Sequence, residues 1–311
     1  MARRLRIEYP GAIYHVINRG NFRGDVFDAE GAAAAFERTM FEACERHHWR
    51  LHAYVIMRNH FHLALETPEA NLVQGMHWLQ SAYCTRFTRF QKKFGHVFQG
   101  RYRSILVEDS AALSRVADYI HLNPRRAHAV PPDGLLRFRW SSLWHFTRPD
   151  RPGPLYARDI LRSHELTDQP ADWSCYVERL EVLAADEDEQ VRLGHADLSS
   201  GYAIGTAGWR RAVAEQYQHL ALSPGLEASE AQTLRETVWN ARLKAAMGEL
   251  GKADGDLLRE RLKGAPWKIE LAVKLRAAGV PACWIGLRLG MGGPNAVRAY
   301  VNRGLRPQRS D

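Results

Sequence analysis

Arg58-Asn59-His60-Phe61-His62-Leu63-Ala64-Leu65-Glu66 decides how the first half of this chain is read. Side chains on a β-strand alternate between faces. A strand here turns His60 and His62 to one side and sends Phe61, Leu63 and Leu65 into a core. Two imidazoles converging from one strand can hold a metal ion. The plain alternative is an exposed strand with two surface histidines, and the tripeptide alone does not decide between them.

Outward from that strand, elements alternate. Residues 12–18 read as a strand and 29–48 as a helix. Strands at 50–57 and 60–67 are joined by a tight turn at Arg58-Asn59. A helix over 71–94 has Leu72, Met76, Leu79, Tyr83, Phe87 and Phe90 at core-facing spacing, and 98–108 reads as a fourth strand. This order fits an α+β, ferredoxin-like (RRM-like) sandwich: an antiparallel sheet with helices on one face and the two histidines on the other.

A third helix follows from Ser110, the expected N-cap, with Leu113, Val116, Ala117 and Ile120 on its apolar face. Pro124 disfavours helical geometry at Asn123, so the helix is expected to stop there. Tyr119 and Asn123 stand four apart on one face, where a nucleophile and an amide-oxygen ligand could aim at one point. Taken alone, this pair reads equally as a packed tyrosine and a helix-capping asparagine.

The 311 residues suffice for more than one core. Formal charge is +8, distributed as +8 over 1–148, −6 over 149–265 and +6 over 266–311. Two basic blocks around an acidic one point to two separate polyanion contacts. The cysteines (Cys44, Cys84, Cys175, Cys283) include no Cys-x-x-Cys pair, which argues against a zinc ribbon and a disulfide framework. The first residues lack the apolar core of a signal peptide and no apolar run is long enough to span a bilayer, so a cytoplasmic protein with no membrane partner is expected. No complete phosphate-loop motif is present, which disfavours an ATP-driven motor.

Several motifs in register resemble the REP-associated tyrosine transposases, a branch of the single-tyrosine HUH (His-hydrophobic-His) transposases in the IS200-like superfamily. They are Gly11-Ala12-Ile13-Tyr14-His15-Val16 with Asn18-Arg19-Gly20-Asn21, then Tyr54-Val55-Ile56-Met57 leading to Asn59-His60-Phe61-His62-Leu63. Phe98-Gln99-Gly100-Arg101-Tyr102, Tyr119-Ile120 with Asn123-Pro124, Arg126-Ala127, and Trp140-Ser141-Ser142 follow. Arg58 departs from the pattern, which usually has proline there. The resemblance covers about the first 145 residues. It implies a metal-dependent single-strand endonuclease and strand transferase acting on hairpin DNA, with Tyr119 as nucleophile and a 5′-phosphotyrosine intermediate. His60, His62 and Asn123 would hold the metal, Mg²⁺ or Mn²⁺ by resemblance, since such ligands select weakly. Glu66, facing the same way as the histidines, is a possible assistant.

Phosphate contacts are expected from Arg58, Arg86, Arg89, Lys92, Lys93, Arg101, Arg103, Arg125 and Arg126, with Tyr102 stacking on an unpaired base. Domain assignments are 1–147 for the HUH domain, 148–160 for a Pro-rich linker, 161–265 for an acidic helical region and 266–311 for a basic helix-turn-helix. In that last block, helix, glycine turn and basic helix place Arg298 and Asn302 as candidate groove contacts; an ordinary three-helix bundle is the alternative. Two competing functions remain: a domesticated, non-cleaving DNA-binding regulator using the C-terminal helices, and a zinc hydrolase built on His60 and His62. The hydrolase needs another strong ligand, and the other histidine near them in sequence, His52, is on the preceding strand. The oligomer expected is a monomer or homodimer.

Overall fold

The computed structural model describes residues 6–91, 95–217 and 228–304. It divides into two compact units, residues 3–210 and 211–311. In the first, β1 (Ala12–Arg19), α1 (Ala32–Arg46), β2 (Arg50–Ile56), β3 (His60–Thr67), α2 (Leu72–Gln91) and β4 (Arg103–Val107) follow in the expected order. A two-residue strand, β5 (Ala203–Ile204), completes a sheet of order β2-β3-β1-β4-β5. The first four strands are antiparallel and interleave as a ferredoxin-like unit, whereas β5 joins β4 in parallel.

Strand alternation sorts the side chains. Phe61 packs at 4.7 Å (ring centroids) from Phe36 of α1, and Phe27, Tyr83 and Phe98 complete the aromatic cluster. Phe98 thus belongs to the core. Gly75 lets α2 approach this layer, since a Cβ there would lie 2.1 Å from the Trp49 ring.

α3 (Ser110–Arg126) crosses the opposite face, with Tyr119 against His62. The sheet therefore carries helices on both faces, not one, because the tyrosine helix has to cover the histidine face. Asp109, not Ser110, caps α3: its carboxylate accepts from the Ala112 amide at 2.8 Å. Pro124 does not end the helix, which runs on to Arg126. Pro124 offers no amide hydrogen, but the Ala127 and Ala129 amides close on the carbonyls of Asn123 and Pro124.

The expected linker at 148–160 does not separate two units. Leu51 bridges to Leu155, and α4 (Ser142–Phe146), α5 (Arg158–Arg162), α6 (Pro170–Ala185) and α7 (Glu187–Arg192) belong to the sheet-containing unit. Buried Asp118, next to Tyr119 in α3, accepts from Arg179 (2.9 Å) and Tyr176 (2.9 Å) of α6. That network requires residues distant in sequence, so a Pro-rich stretch misled the boundary. α8 (Ala207–Gln216) spans the division between the units.

A buried ion pair fixes α1. Arg139 donates to both Glu37 oxygens at 2.8 Å, and Tyr54 donates at 2.5 Å. Burial raises the Glu37 pKa, but the bonds from His145, Arg139 and Tyr54 outweigh it and hold the group at about 2. Because the folded value lies below the ordinary 4.5, the stabilisation is complete above pH 4.5 and lost as pH falls towards 2. It amounts to about 3 kcal/mol. Acid unfolding of Glu37→Gln, followed by circular dichroism, should be flatter than that of the native chain across this window; an identical profile would refute the assignment.

In the second unit, α9 (Ala228–Glu249), α10 (Asp254–Arg259), α11 (Pro266–Ala277), α12 (Ala282–Arg288) and α13 (Pro294–Gly304) are all helical. Leu243 and Met247 of α9 share a core with Leu271, Leu275, Ile285, Val297 and Val301. Residues 266–311 are therefore not a module by themselves.

Candidate active site

His60 and His62 face α3 from β3, and β1 presents His15 and Arg19 on the same side by its pairing with β3. The ring centroids of His60 and His62 are 5.1 Å apart. Hydrogen bonds settle which nitrogens are free. His15 Nδ1 lies 2.7 Å from the Leu198 carbonyl, which can only accept, so the proton is on Nδ1 and Nε2 is an acceptor. His62 Nδ1 stands 2.9 Å from that Nε2 and must donate to it. His60 Nδ1 likewise donates to Asn59 Oδ1 at 2.7 Å. Both histidines of the motif are left with an Nε2 lone pair, the form in which imidazole binds a metal.

Asn123 supplies a third donor. One of its two Nδ2 hydrogens goes to the Tyr119 carbonyl at 2.8 Å, and its side chain is within hydrogen-bonding reach of His60. The amide oxygen and the His60 Nε2 lone pair could both be offered to a cation placed between them. Burial, then the charge of Arg19, holds His60 at about 4 despite the Asn123 contact. Burial, with His15, His60, Arg19 and Arg126 adding to it, keeps His62 well below its usual value. The two imidazoles and the Asn123 amide would together offer a neutral ligand set that fits a divalent ion.

Tyr119 completes the cluster within the same chain. Its ring lies 5.6 Å from His62, 5.8 Å from His15 and 5.9 Å from His195, and the Arg126 guanidinium sits 4.7 Å from its centroid. His195 is buried with both ring nitrogens unbonded, and burial keeps its pKa below the ordinary value.

The basic residues expected at DNA divide. Arg126 stands beside the phenol. Arg58 is exposed but engages Asp25 at 3.1 Å. Arg86 is paired with Glu42 and Thr39, and with the exposed Arg89 it belongs to α2, over the face away from the histidines. Lys92 and Lys93 lie outside the described residues. Arg101 is exposed. Arg103 donates to the Ser199 carbonyl at 2.8 Å, tying β4 to the 194–200 loop. Arg125 approaches Glu181 at 3.9 Å. Tyr102 is buried beneath the Arg6 guanidinium, 3.9 Å from its ring, so it is not an open stacking surface. Glu66 and His52 meet each other far along the strand, away from the paired imidazoles. Arg298 and Asn302 both lie exposed on α13, opposite buried Val297 and Val301.

Sequence reading gave no role to His15, Arg19, Asn59 or His195. The β1–β3 register would have exposed the first two, but His195 sits in a segment whose sequence carries no such signal.

Residues 8–123 match the family model described as "Transposase IS200 like". The N-terminal part of the chain is thus similar to the IS200-like transposases. Among solved structures, a REP-associated tyrosine transposase bound to a REP hairpin matches with 16% identity and a TM-score of 0.39, over 51% of this chain and 92% of that one. No curated protein matches the sequence. Among the described residues, no helix is long and apolar enough to cross a membrane. The matched region combines a His-Phe-His strand with a tyrosine helix laid over it.

Proposed function

We propose that the IS200-like domain cuts single-stranded DNA beside a hairpin and rejoins it, with Tyr119 as nucleophile. The observation that carries this reading is the 5.6 Å approach of the Tyr119 ring to His62 in one chain. The phenolate oxygen attacks phosphorus, the P–O3′ bond breaks and O3′ takes up a proton, leaving a 5′-phosphotyrosine and a free 3′-OH. Attack by a later 3′-OH reverses the step without ATP, because the covalent link preserves the bond. His60, His62 and Asn123 would hold a divalent cation, Mg²⁺ or Mn²⁺, which polarises the scissile phosphate when bound. Arg126 and Arg19 place positive charge beside that position. The cytoplasm, where chromosomal DNA is accessible, is the compartment this reading requires.

The test is incubation of the full chain with labelled hairpin-bearing single-stranded DNA and Mn²⁺. An SDS-resistant adduct that maps to Tyr119 by peptide mass spectrometry is expected. No adduct, or attachment elsewhere, would refute the reading.

We further propose that α12, its glycine turn and α13 act as a helix-turn-helix on duplex DNA, with Arg298 and Asn302 towards the groove. Supporting this are the exposed polar face of α13 and the tight turn: a Cβ on Gly286 would come 2.1 Å from the Gly292 carbonyl oxygen. Arg298→Ala should weaken duplex binding, with a salt slope smaller by about 1 if the contact is to phosphate. Unchanged duplex affinity and salt slope would reduce the segment to a bundle.

A further inference from the structure

We propose a second divalent-cation site in the transposase domain, formed by His52 of β2, Glu66 of β3 and Asp159 of α5. It is independent of the DNA-cleavage reading. One ligand atom from each of these residues lies within 4.8 Å of the other two. Glu66 is four positions along β3 from His62, roughly 13 Å at strand rise, so the two sites do not share ligands.

Hydrogen bonds around the imidazole carry the argument. His52 is fully buried, and its Nδ1 lies 3.1 Å from the Tyr156 carbonyl, which can only accept. Nδ1 therefore carries a proton, and Nε2 either carries a second one towards Glu66 or offers its lone pair to a metal ion. That Nε2 is buried without a hydrogen-bond partner and points at Glu66 Oε2, 3.6 Å away. Glu66 gives its other oxygen to Arg50 at 2.9 Å, which leaves Oε2 for the cluster. With Glu66 Oε2 facing it and an Asp159 oxygen within 4.8 Å, a bare lone pair is repelled unless a metal ion or a proton stands between them.

The spacing suits a metal. Ligand atoms about 2.0–2.1 Å from a tetrahedral Zn²⁺ are roughly 3.4 Å apart, close to the observed 3.6 Å. One neutral imidazole and two carboxylates balance the charge of a divalent ion. Mixed nitrogen and oxygen donors favour Zn²⁺ over the all-oxygen shells of Mg²⁺. The three ligands come from two paired strands of the sheet and from α5. α5 in turn touches α3, where Ser163 donates to the Ser110 carbonyl at 3.1 Å. A cation here would clamp the helix layer that carries Tyr119 onto the sheet.

The experiment uses the full chain with His60→Ala and His62→Ala, which clears the first site. After chelation, this protein is titrated with Zn²⁺ by calorimetry and its thermal unfolding followed with and without the ion. One equivalent of Zn²⁺ and a raised Tm are expected. Both should be lost on adding Asp159→Asn, or separately Glu66→Gln on a different element, with the metal-free circular dichroism spectrum retained. Absence of the equivalent from the double variant would overturn the proposal, as would an equivalent that survives both carboxamide substitutions. A nitrogen NMR spectrum showing His52 doubly protonated in the presence of excess Zn²⁺ would overturn it too, since a proton would then fill the gap.

Discussion

Tyr119→Phe should leave hairpin binding close to native and remove the covalent adduct, lowering strand cleavage on the order of 10³-fold or more. The substitution deletes one oxygen and keeps the ring. Ring packing against His62, His15 and His195, and the contact with Arg126, all involve the ring and survive. Asn123 bonds to the Tyr119 main-chain carbonyl, so its amide orientation survives as well. A fall in cleavage with unchanged binding therefore isolates the hydroxyl. Gel shifts and SDS-stable labelling on the same hairpin read the two quantities separately. Persistent cleavage with an adduct would mean another nucleophile, and lost binding would mean that the hydroxyl itself helps to hold DNA.

Strand alternation was enough to place His60 and His62 together and to set Phe61 in the core, because a period of two is read directly from Arg58–Glu66. Helical spacing did the same for Tyr119 and Asn123. What the sequence did not carry were the partners that set the imidazole tautomers. His15 is visible as a histidine, but its meeting with His62 depends on β1 lying next to β3, a property of the sheet order. Leu198 acts through its main-chain carbonyl and so leaves no mark in residue type.

Misread features share a cause. Pro149, Pro152 and Pro154 suggested a linker, yet local chain stiffness says nothing about whether later helices return to the sheet. Here they do, because Asp118 and Arg179 pair across α3 and α6. Basic residues were similarly judged by charge alone. Arg86 and Arg103 turned out to hold neighbours in place, and only geometry separates such anchoring arginines from Arg126.

His60→Ala with His62→Ala should abolish cation-dependent cleavage and the binding of Mn²⁺ to the first site, read by electron paramagnetic resonance as well as by activity. Each substitution removes a lone pair that the hydrogen bonds of His15 and Asn59 have fixed in place. A graded companion follows from the same bonds. His15→Phe keeps a ring in the pocket but frees His62 to take either tautomer, so Mn²⁺ affinity should fall about 10–100-fold while the fold persists. His15→Gln, which can accept from His62 Nδ1 through its amide oxygen, should recover part of that loss. If His15→Phe binds Mn²⁺ as the native chain does, the relay from Leu198 through His15 has no part in holding the ion. If the double variant still binds Mn²⁺ with native affinity and stoichiometry, the paired imidazoles are not the ligands, and the chemistry assigned to Tyr119 must be supported by Arg19 and Arg126 alone.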